Sequence, residues 1–428
     1  MKYLNAKAPL PTVVIGAGVV GMMTAYALAK KGRHVTVIDR LSGPAELCSR
    51  ANAGIVAVGH AKAWAAPEAI GGILRALTGR DPAVCITRLW DPALWRWGID
   101  FLLQCPPAAH RTNTDKLQRL SRFSRNLMVP AEAHMNFPPE TAHDGGLYLF
   151  QDKVQFDAYV ASLKHVQDDM PDVLDRDALI MREPGLARLK DQLVGGLLSP
   201  TDSVGDCHLF SVRTGNYLAK SKLVTFRFDT AVTGFAKQGN QISAVETDQG
   251  SVPCAELVFA TGVETPELCR PLGFNPRIYP VKGYSGTWRI LDPSGVPKLP
   301  FIDETELLAV ASYGERLRVT AIAEFAGRDS SLPEDRTAFL ENYVRRAFGT
   351  AVDLKTPEFW SGLRPSTPSG PPYLGRIRYI ENLWINAGHG QLGWTLALGC
   401  GEILADTITG APPALTNVSA HARWLDPI

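Results

Sequence analysis

The sequence predicts an α/β fold, α+β overall, in which a Rossmann-like domain is assembled from separated segments and a second domain is inserted between them. Two observations carry this prediction. A strand, a glycine turn, a helix and a second strand follow one another within residues 12–39, and another glycine-rich turn lies near the C-terminus. A chain of 428 residues is long enough for two or three domains. Because nucleotide-type elements stand at both ends, we expect the domains to interleave.

The first strand–turn–helix unit has the residues that a dinucleotide requires. Residues 12–15 form a short apolar run typical of a buried strand, and Gly16-Ala-Gly18-Val-Val-Gly21 leads into a predicted helix over 22–31. Gly16 permits the tight turn, Gly18 lets the backbone approach a pyrophosphate, and Gly21 allows close packing of helix on strand. The helix N-terminus then offers N–H groups to the phosphates.

The second strand of the unit, residues 35–38, ends at Asp39, 18 residues beyond Gly21, where a carboxylate can accept hydrogen bonds from ribose hydroxyls. The unit also explains the uncharged stretch over residues 8–29. That stretch resembles a signal peptide or a membrane span, but its prolines and glycines favour a buried βαβ unit.

A second glycine cluster, Gly388-His-Gly390-Gln-Leu-Gly393, lies between a predicted strand over 382–386 and a predicted helix over 394–408. Only 35 residues follow Gly393, too few for another dinucleotide unit. The N-terminus of this helix can therefore face an electron-rich group such as a flavin. An ordinary strand–helix turn is the alternative.

The middle of the chain gives coarser signals. We predict a strand over 257–262 that ends in a glycine turn, a hairpin over 242–254, an antiparallel strand over 317–325, an amphipathic helix over 334–348, and helices through 62–135.

Composition excludes several classes of protein. With 44 Lys and Arg against 43 Asp and Glu the net charge is +1, which argues against nucleic-acid binding. The seven cysteines are odd in number and contain no CxxC, so neither a disulfide framework nor a metal site is predicted. A reducing, cytoplasmic location is the simplest expectation.

Several further stretches resemble the FAD-dependent D-amino acid oxidase superfamily, and within it the bacterial D-amino acid dehydrogenase small-subunit branch. Together with the glycine turns they span residues 12–410. They are Ser49-Arg-Ala-Asn52-Ala-Gly54, Trp64-Ala-Ala-Pro67, Val204-Gly-Asp-Cys-His-Leu-Phe210, Tyr279-Pro-Val-Lys-Gly-Tyr284, Gly362-Leu-Arg-Pro365 and Gly388-His-Gly-Gln-Leu-Gly-Trp394.

The resemblance implies FAD as cofactor and transfer of a hydride from the Cα of a D-amino acid, or of a related cyclic imino acid, to flavin N5. The resulting imine is hydrolysed to a 2-oxo acid, and the electrons pass to a quinone or another carrier. Two alternatives stay open: an oxidase of glycine, sarcosine or another secondary amine that uses O2, and a non-catalytic flavin subunit of a hetero-oligomeric dehydrogenase. The implied FAD-binding domain comprises residues 1–60, 201–272 and 356–428. The implied substrate domain, mostly antiparallel sheet plus helices, comprises 61–200 and 273–355.

The resemblance also implies a set of cofactor contacts around the two glycine turns and the loops beside them. They are Gly16, Gly18, Val19, Val20, Gly21, Asp39, Arg40, Ser49, Asn52, Ala53, Gly54, Thr261, Gly262, Gly388, His389, Gly390, Gln391, Leu392 and Gly393.

Five residues are candidates for substrate binding or catalysis. Arg364 matches the arginine that the superfamily pairs with the substrate carboxylate. Tyr284 and Tyr313 are candidate substrate contacts, although either could be a core or edge aromatic. Lys282 could polarise flavin N5 or contact substrate, or could be a surface lysine. His60, with Lys62 close by, could receive a polar or acidic substrate side chain, or could be an ordinary loop histidine.

A tryptophan cluster leaves a further question open. Trp90, Trp95 and Trp97 lie close to Phe101, Leu102 and Leu103. They could form an interfacial helix that docks peripherally on the inner face of the cytoplasmic membrane to reach a quinone, or they could be core residues.

Overall fold

The computed structural model describes residues 10–77, 83–138, 141–163 and 169–426. Twenty strands and eleven α-helices are assigned within these ranges. The strands are β1 Thr12–Ile15, β2 Val35–Ile38, β3 Ile55–Val56, β4 Val84–Ile86, β5 Gly146–Phe150, β6 Asp172–Asp175, β7 Gly195–Ser199, β8 Ser203–Val204, β9 Val224–Arg227, β10 Val232–Gln238, β11 Gln241–Thr247, β12 Gly250–Pro253, β13 Glu256–Phe259, β14 Tyr279–Arg289, β15 Phe301–Asp303, β16 Leu308–Tyr313, β17 Arg316–Phe325, β18 Glu358–Ser366, β19 Tyr373–Arg376 and β20 Leu383–Ala387.

The α-helices are spread through both parts of the molecule. They are α1 Val19–Lys30, α2 Ala69–Leu77, α3 Pro92–Leu102, α4 Pro107–Asn126, α5 Met128–Met135, α6 Lys153–Ser162, α7 Arg176–Arg182, α8 Cys207–Ala219, α9 Thr265–Cys269, α10 Glu334–Ala347 and α11 Gly393–Thr409.

A six-stranded sheet in the order β19-β20-β13-β1-β2-β9 forms the nucleotide-binding part. All its pairings are parallel except that of β19 with β20. Its central strands read as continuous apolar runs because both faces are covered. Helices α1, α4, α8 and α11 share a hydrophobic core on one face. The antiparallel sheet β10-β11-β12 contributes to the core on the other.

The second large sheet has nine strands, with the path β18-β14-β17-β16-β15-β5-β7-β6 and with β4 paired to β17. Most of its pairings are antiparallel; β5 with β15 and β4 with β17 are the parallel ones. Helices α7 and α10 pack against one face. The opposite face looks toward the nucleotide-binding part, and this arrangement leaves a space between the two sheets.

The predicted mixed α/β fold is confirmed, and so are its first and last units. The βαβ unit, the 242–254 hairpin, the strands at 257, 317 and 382, and the helices at 334 and 394 all form, with bounds that shift by a few residues. The first helix begins earlier than predicted, at Val19, because Gly18 is its N-cap. The region predicted to be helical over 62–135 also contains β4.

The interleaved domain boundaries stay a prediction. The six-stranded sheet draws its strands from residues 12–38, 224–259 and 373–387. The strand β18 lies inside the predicted cofactor segment 356–428 but pairs in the nine-stranded sheet, beside β14. Within the described ranges no helix is long and apolar enough to cross a membrane.

Candidate active site

One cavity of about 1040 Å³ lies between the two large sheets, and both glycine turns open into it. The parallel strands β1, β2, β13 and β20 all end at this edge, so Gly16, Asp39, Thr261 and His389 follow their carboxyl ends. The carboxyl edge of a parallel α/β sheet is where such folds bind their ligands. The other wall consists of cavity-facing residues on β14 to β18.

The first glycine turn has no room for a side chain at Gly16 or at Gly21. Gly16 has a φ of +101°, and a Cβ there would lie 2.5 Å from the carbonyl oxygen of Ala260. A Cβ on Gly21 would lie 2.9 Å from the carbonyl carbon of Gly16. At Gly18 the nearest atom to a Cβ is 3.7 Å away, so the space above it is open. This turn therefore forms a cradle of bare backbone at the start of α1.

Asp39 is held at the cavity by two backbone N–H groups. Its carboxylate accepts from Ala17 N at 2.6 Å and from Leu41 N at 2.9 Å. Each oxygen keeps a further lone pair for a hydroxyl group. Arg40 also lines the cavity and forms an ion pair with Glu264.

The loop over 49–54 is fixed by hydrogen bonds from both parts of the molecule. Ser49 Oγ accepts from Val19 N at 3.2 Å, and Asn52 Oδ1 accepts from Gly54 N at 3.0 Å. The hydroxyl of Tyr313 donates to Ala53 O at 2.6 Å. Tyr313 is therefore placed behind the loop, and it is not among the residues that line the cavity.

The second glycine turn is equally tight. Gly388 has a φ of +88°, and a Cβ there would lie 2.5 Å from Cγ2 of Thr367. Residues Gly390–Leu392 form a 3-10 turn before α11, so Gln391, Leu392 and Gly393 face the cavity at the start of that helix.

Two buried polar atoms beside this turn lack protein partners. Asn386 Oδ1 and His389 Nε2 belong to cavity-lining residues, and neither atom forms a hydrogen bond within the described ranges. Burial lowers the pKa of His389 to about 3, so its ring is neutral. Orphaned buried groups of this kind call for a partner from outside the protein. Together with the Gly18 cradle, Asp39 and two helix N-termini, they fit an elongated nucleotide with an electron-rich ring.

Arg364 lies on the wall that faces the two glycine turns. Its side chain crosses Gly283 on the neighbouring strand, and Nη1 donates to Ile322 O at 2.9 Å. No carboxylate in the described part of the chain pairs with it, and burial lowers the pKa of the guanidinium. A cation held in a cavity wall without a counter-ion is a site for an anionic group of a ligand.

Strand alternation turns Lys282 and Tyr284 away from Arg364. The ring of Tyr284 packs in the core shared with α10, and its hydroxyl donates to Glu324, although the residue also borders the cavity. Lys282 is fully buried, and its ammonium contacts Asp329 at 3.0 Å. Lys282 is not among the cavity-lining residues.

His60 lines the cavity and faces an acid that sequence reasoning missed. Its Nδ1 lies 3.1 Å from Oε1 of Glu304, although the pair lacks the alignment of a hydrogen bond. The ring stacks on Tyr148 at 5.7 Å. Lys62 is engaged elsewhere, because its ammonium donates to the hydroxyl of Tyr159 at 2.9 Å.

Cys48 is a second cavity residue that the sequence did not reveal, because a lone cysteine carries no pattern. Its Cα would lie 3.4 Å from a Cβ on Gly362, beside the Arg364 strand, and burial raises the pKa of its thiol. The thiol is therefore neutral.

The three tryptophans have different environments. Trp97 is buried and donates from Nε1 to Ser366 O at 2.8 Å, whereas Trp90 and Trp95 are 74% and 52% exposed. Trp95 belongs to a set of apolar side chains that are exposed to solvent and also line the cavity. The members of this set on α2, on α3 and just before α3 are Leu77, Leu89, Trp95, Ile99 and Leu102, and we call these five the apolar rim.

Comparison with known proteins agrees with this geometry. Residues 12–407 match the FAD dependent oxidoreductase family, DAO. A D-amino acid dehydrogenase of Rhizorhabdus wittichii is 37% identical over 95% of this chain and 98% of that protein. A D-amino acid dehydrogenase of Azorhizobium caulinodans is 38% identical over 95% of this chain and 97% of that protein. A glycine oxidase structure from Geobacillus kaustophilus superposes with a TM-score of 0.74 at 18% identity, covering 95% of this chain and 96% of that one.

Proposed function

The chain belongs to the DAO family of FAD-dependent oxidoreductases, and from that premise we propose that it is a D-amino acid dehydrogenase whose substrate is anchored by Arg364. FAD, when bound, supplies N5 as the acceptor of the hydride that leaves the substrate Cα. The residues that would hold it are those around the two glycine turns, Asp39 and the 49–54 loop.

The proposal depends on one observation, the Arg364 guanidinium that has no paired acid within the described ranges. Within those ranges it has one protein partner, the carbonyl of Ile322. Its remaining N–H groups can bind a carboxylate with two parallel hydrogen bonds. That contact would fix which face of Cα points at the cofactor, and orientation of this kind supplies much of the rate in a reaction that needs no protein nucleophile.

The surroundings of Arg364 favour the neutral amine as the reacting form. Because the guanidinium is desolvated and lies in a largely apolar wall, a second positive charge beside it is unfavourable. Loss of hydride from the neutral amine leaves an iminium ion, and water hydrolyses the iminium ion to a 2-oxo acid and ammonium.

Variants of Arg364 test the anchor. We expect Arg364→Ala to retain FAD but to raise KM by about two orders of magnitude, since a charge-assisted bidentate contact is lost. Arg289→Ala is the matched control, because Arg289 is an exposed arginine at the C-terminal end of β14, in the same sheet as Arg364. Binding of propionate, a carboxylate with no amine to oxidise, gives a second readout through the flavin spectrum. An unchanged KM together with unchanged propionate binding would refute the assignment.

We further propose that the electron acceptor is a lipophilic quinone that enters through the apolar rim, with the protein peripheral at the membrane. The rim residues Trp95 and Ile99 are 52% and 59% exposed and also line the cavity, so an apolar path leads from the surface inward. Exposed apolar side chains at the entrance of a cavity mark an interaction site. Trp95→Ser should lower the rate with a short-chain ubiquinone about tenfold while the rate with ferricyanide changes less than twofold. Equal rates with the quinone in both proteins, or rapid peroxide formation in air, would contradict this acceptor.

A further inference from the structure

Glu304 directly follows β15 of the nine-stranded sheet, and Arg364 lies on β18 of the same sheet. The Arg364 guanidinium reaches past β14 to the carbonyl of Ile322 on β17, which is two strands from β15 in the sheet order. Both acid and guanidinium line the same cavity. Two strand spacings of about 4.8 Å lie between β17 and β15, which is roughly 10 Å between the backbones of these strands.

The Glu304 carboxylate is buried, and one of its oxygens lacks a hydrogen-bond partner. The residue is 9% exposed, and Oε1 forms no hydrogen bond within the described ranges. Burial alone would raise the pKa of this carboxyl, but the charge and proximity of His60, with a smaller effect of Lys62, bring the pKa below its usual value. The acid is therefore an ionised, desolvated acceptor in the wall of the cavity.

Two other charged residues of this region have partners of their own. Lys62 is held by Tyr159, and Asp202 accepts from Gly59 N at 2.8 Å and also from the hydroxyl of Tyr148. A substrate side chain that ends in an acid would bring a like charge beside the Glu304 carboxylate, whereas a cationic end would pair with it.

We propose that Glu304, with His60 beside it, determines substrate specificity by binding the cationic end of the substrate side chain, so that basic D-amino acids of the lysine and arginine type are preferred. The inference rests on the proposed function, because it takes the substrate carboxylate to be bound at Arg364. The separation of the two sites requires a long side chain with an apolar stem, which these amino acids have.

The test compares substrates that differ only in the terminal cation. Anaerobic reduction of the flavin by D-lysine is measured against D-norleucine, and reduction by D-arginine against D-citrulline, in wild type, Glu304→Gln and Glu315→Gln. Glu315 is the control because it is exposed at the turn between β16 and β17 of the same sheet. Each pair of substrates is assayed on one preparation, so a variant that retains less flavin still gives a valid ratio. Glu304→Asp, which keeps the charge, provides a second variant.

We expect the wild-type kcat/KM for D-lysine to exceed that for D-norleucine about tenfold or more, because the neutral analogue leaves Glu304 unpaired. The ratio of kcat/KM for D-lysine to kcat/KM for D-norleucine should fall to about one in Glu304→Gln. The same ratio should stay above one in Glu304→Asp and be unchanged in Glu315→Gln. A wild-type preference for D-norleucine or for D-glutamate, or a ratio that survives in Glu304→Gln, would overturn the inference while leaving the proposed function intact. If neither lysine, norleucine nor alanine in the D form reduced the flavin, the proposed function would fail and this inference with it.

Discussion

Substitution of Gly283 offers a way to displace the Arg364 guanidinium without changing any charge. A Cβ on Gly283 would lie 2.5 Å from Cζ and 3.0 Å from Nε of Arg364. Carbon atoms in contact settle at about 3.5 Å or more, so the guanidinium must move by roughly 1 Å. The backbone at Gly283 does not require glycine, and the obstructed atoms are the end of a flexible side chain, so we expect Gly283→Ala to fold and to bind FAD.

The expected loss follows from that displacement. A misplacement of about 1 Å in a group that positions the substrate lowers kcat/KM roughly 100-fold, which corresponds to about 2.7 kcal/mol. The assay is steady-state oxidation of a D-amino acid with an artificial acceptor. Gly234→Ala is the matched control, because the nearest atom to a Cβ there is 3.9 Å away, in a peripheral sheet.

A double-mutant cycle separates displacement of the arginine from a general defect. In an Arg364→Ala background there is no guanidinium to move, so Gly283→Ala should change kcat/KM less than about twofold. Equal losses in both backgrounds would refute the reasoning, as would full activity of the single variant.

Three further predictions concern the cofactor side of the cavity. Gly16→Ala should purify without flavin, since its φ of +101° and the Ala260 carbonyl at 2.5 Å leave no room for a methyl group; normal flavin content would contradict this. Tyr313→Phe removes the hydrogen bond to Ala53 O and should raise the Kd of FAD about fivefold, or about 1 kcal/mol; unchanged Kd in a flavin titration would argue against that support of the loop. Because the pKa of His389 is about 3 in the folded protein and near 6.5 when unfolded, the unfolded chain binds the extra proton between these values. The residue should therefore lower the free energy of unfolding by about 2 kcal/mol from pH 8 to pH 5, and urea melts of His389→Gln should lack that part of the pH dependence.

Local pattern was enough to predict the nucleotide-binding part. Its glycines are needed where φ is positive or where backbone approaches backbone. The residue type alone therefore identifies Gly16 and Gly388 as turn positions in the sequence. The parallel strands are buried on both faces, and continuous apolar runs identify them.

The substrate wall was harder to predict because the sequences of its strands do not show which side chains face the cavity. Strand β14 is buried along almost its whole length, so no alternation shows that Gly283 faces the cavity while Lys282 contacts Asp329 and the Tyr284 ring packs in the core shared with α10. Glu304 follows a strand of only three residues, and a glutamate in that position is usually exposed. Its importance depends on long-range pairing across the sheet, which a single sequence does not display.

For the tryptophan cluster, too, the sequence alone did not show which side chains are exposed and which are buried. Trp95 and Trp97 are two residues apart on α3, and residues at that spacing point to different sides of a helix. One is therefore exposed and the other buried, and the two alternatives for the cluster each describe part of it.

The most direct test of the account is an anaerobic titration of the FAD-bound protein with matched D- and L-amino acids while the flavin absorbance is followed. The account predicts that D-lysine bleaches the flavin fully in wild type, that L-lysine does not, and that Arg364→Ala needs a roughly 100-fold higher D-lysine concentration. Bleaching by the L enantiomer at the same concentration, or the same concentration dependence in Arg364→Ala, would contradict it.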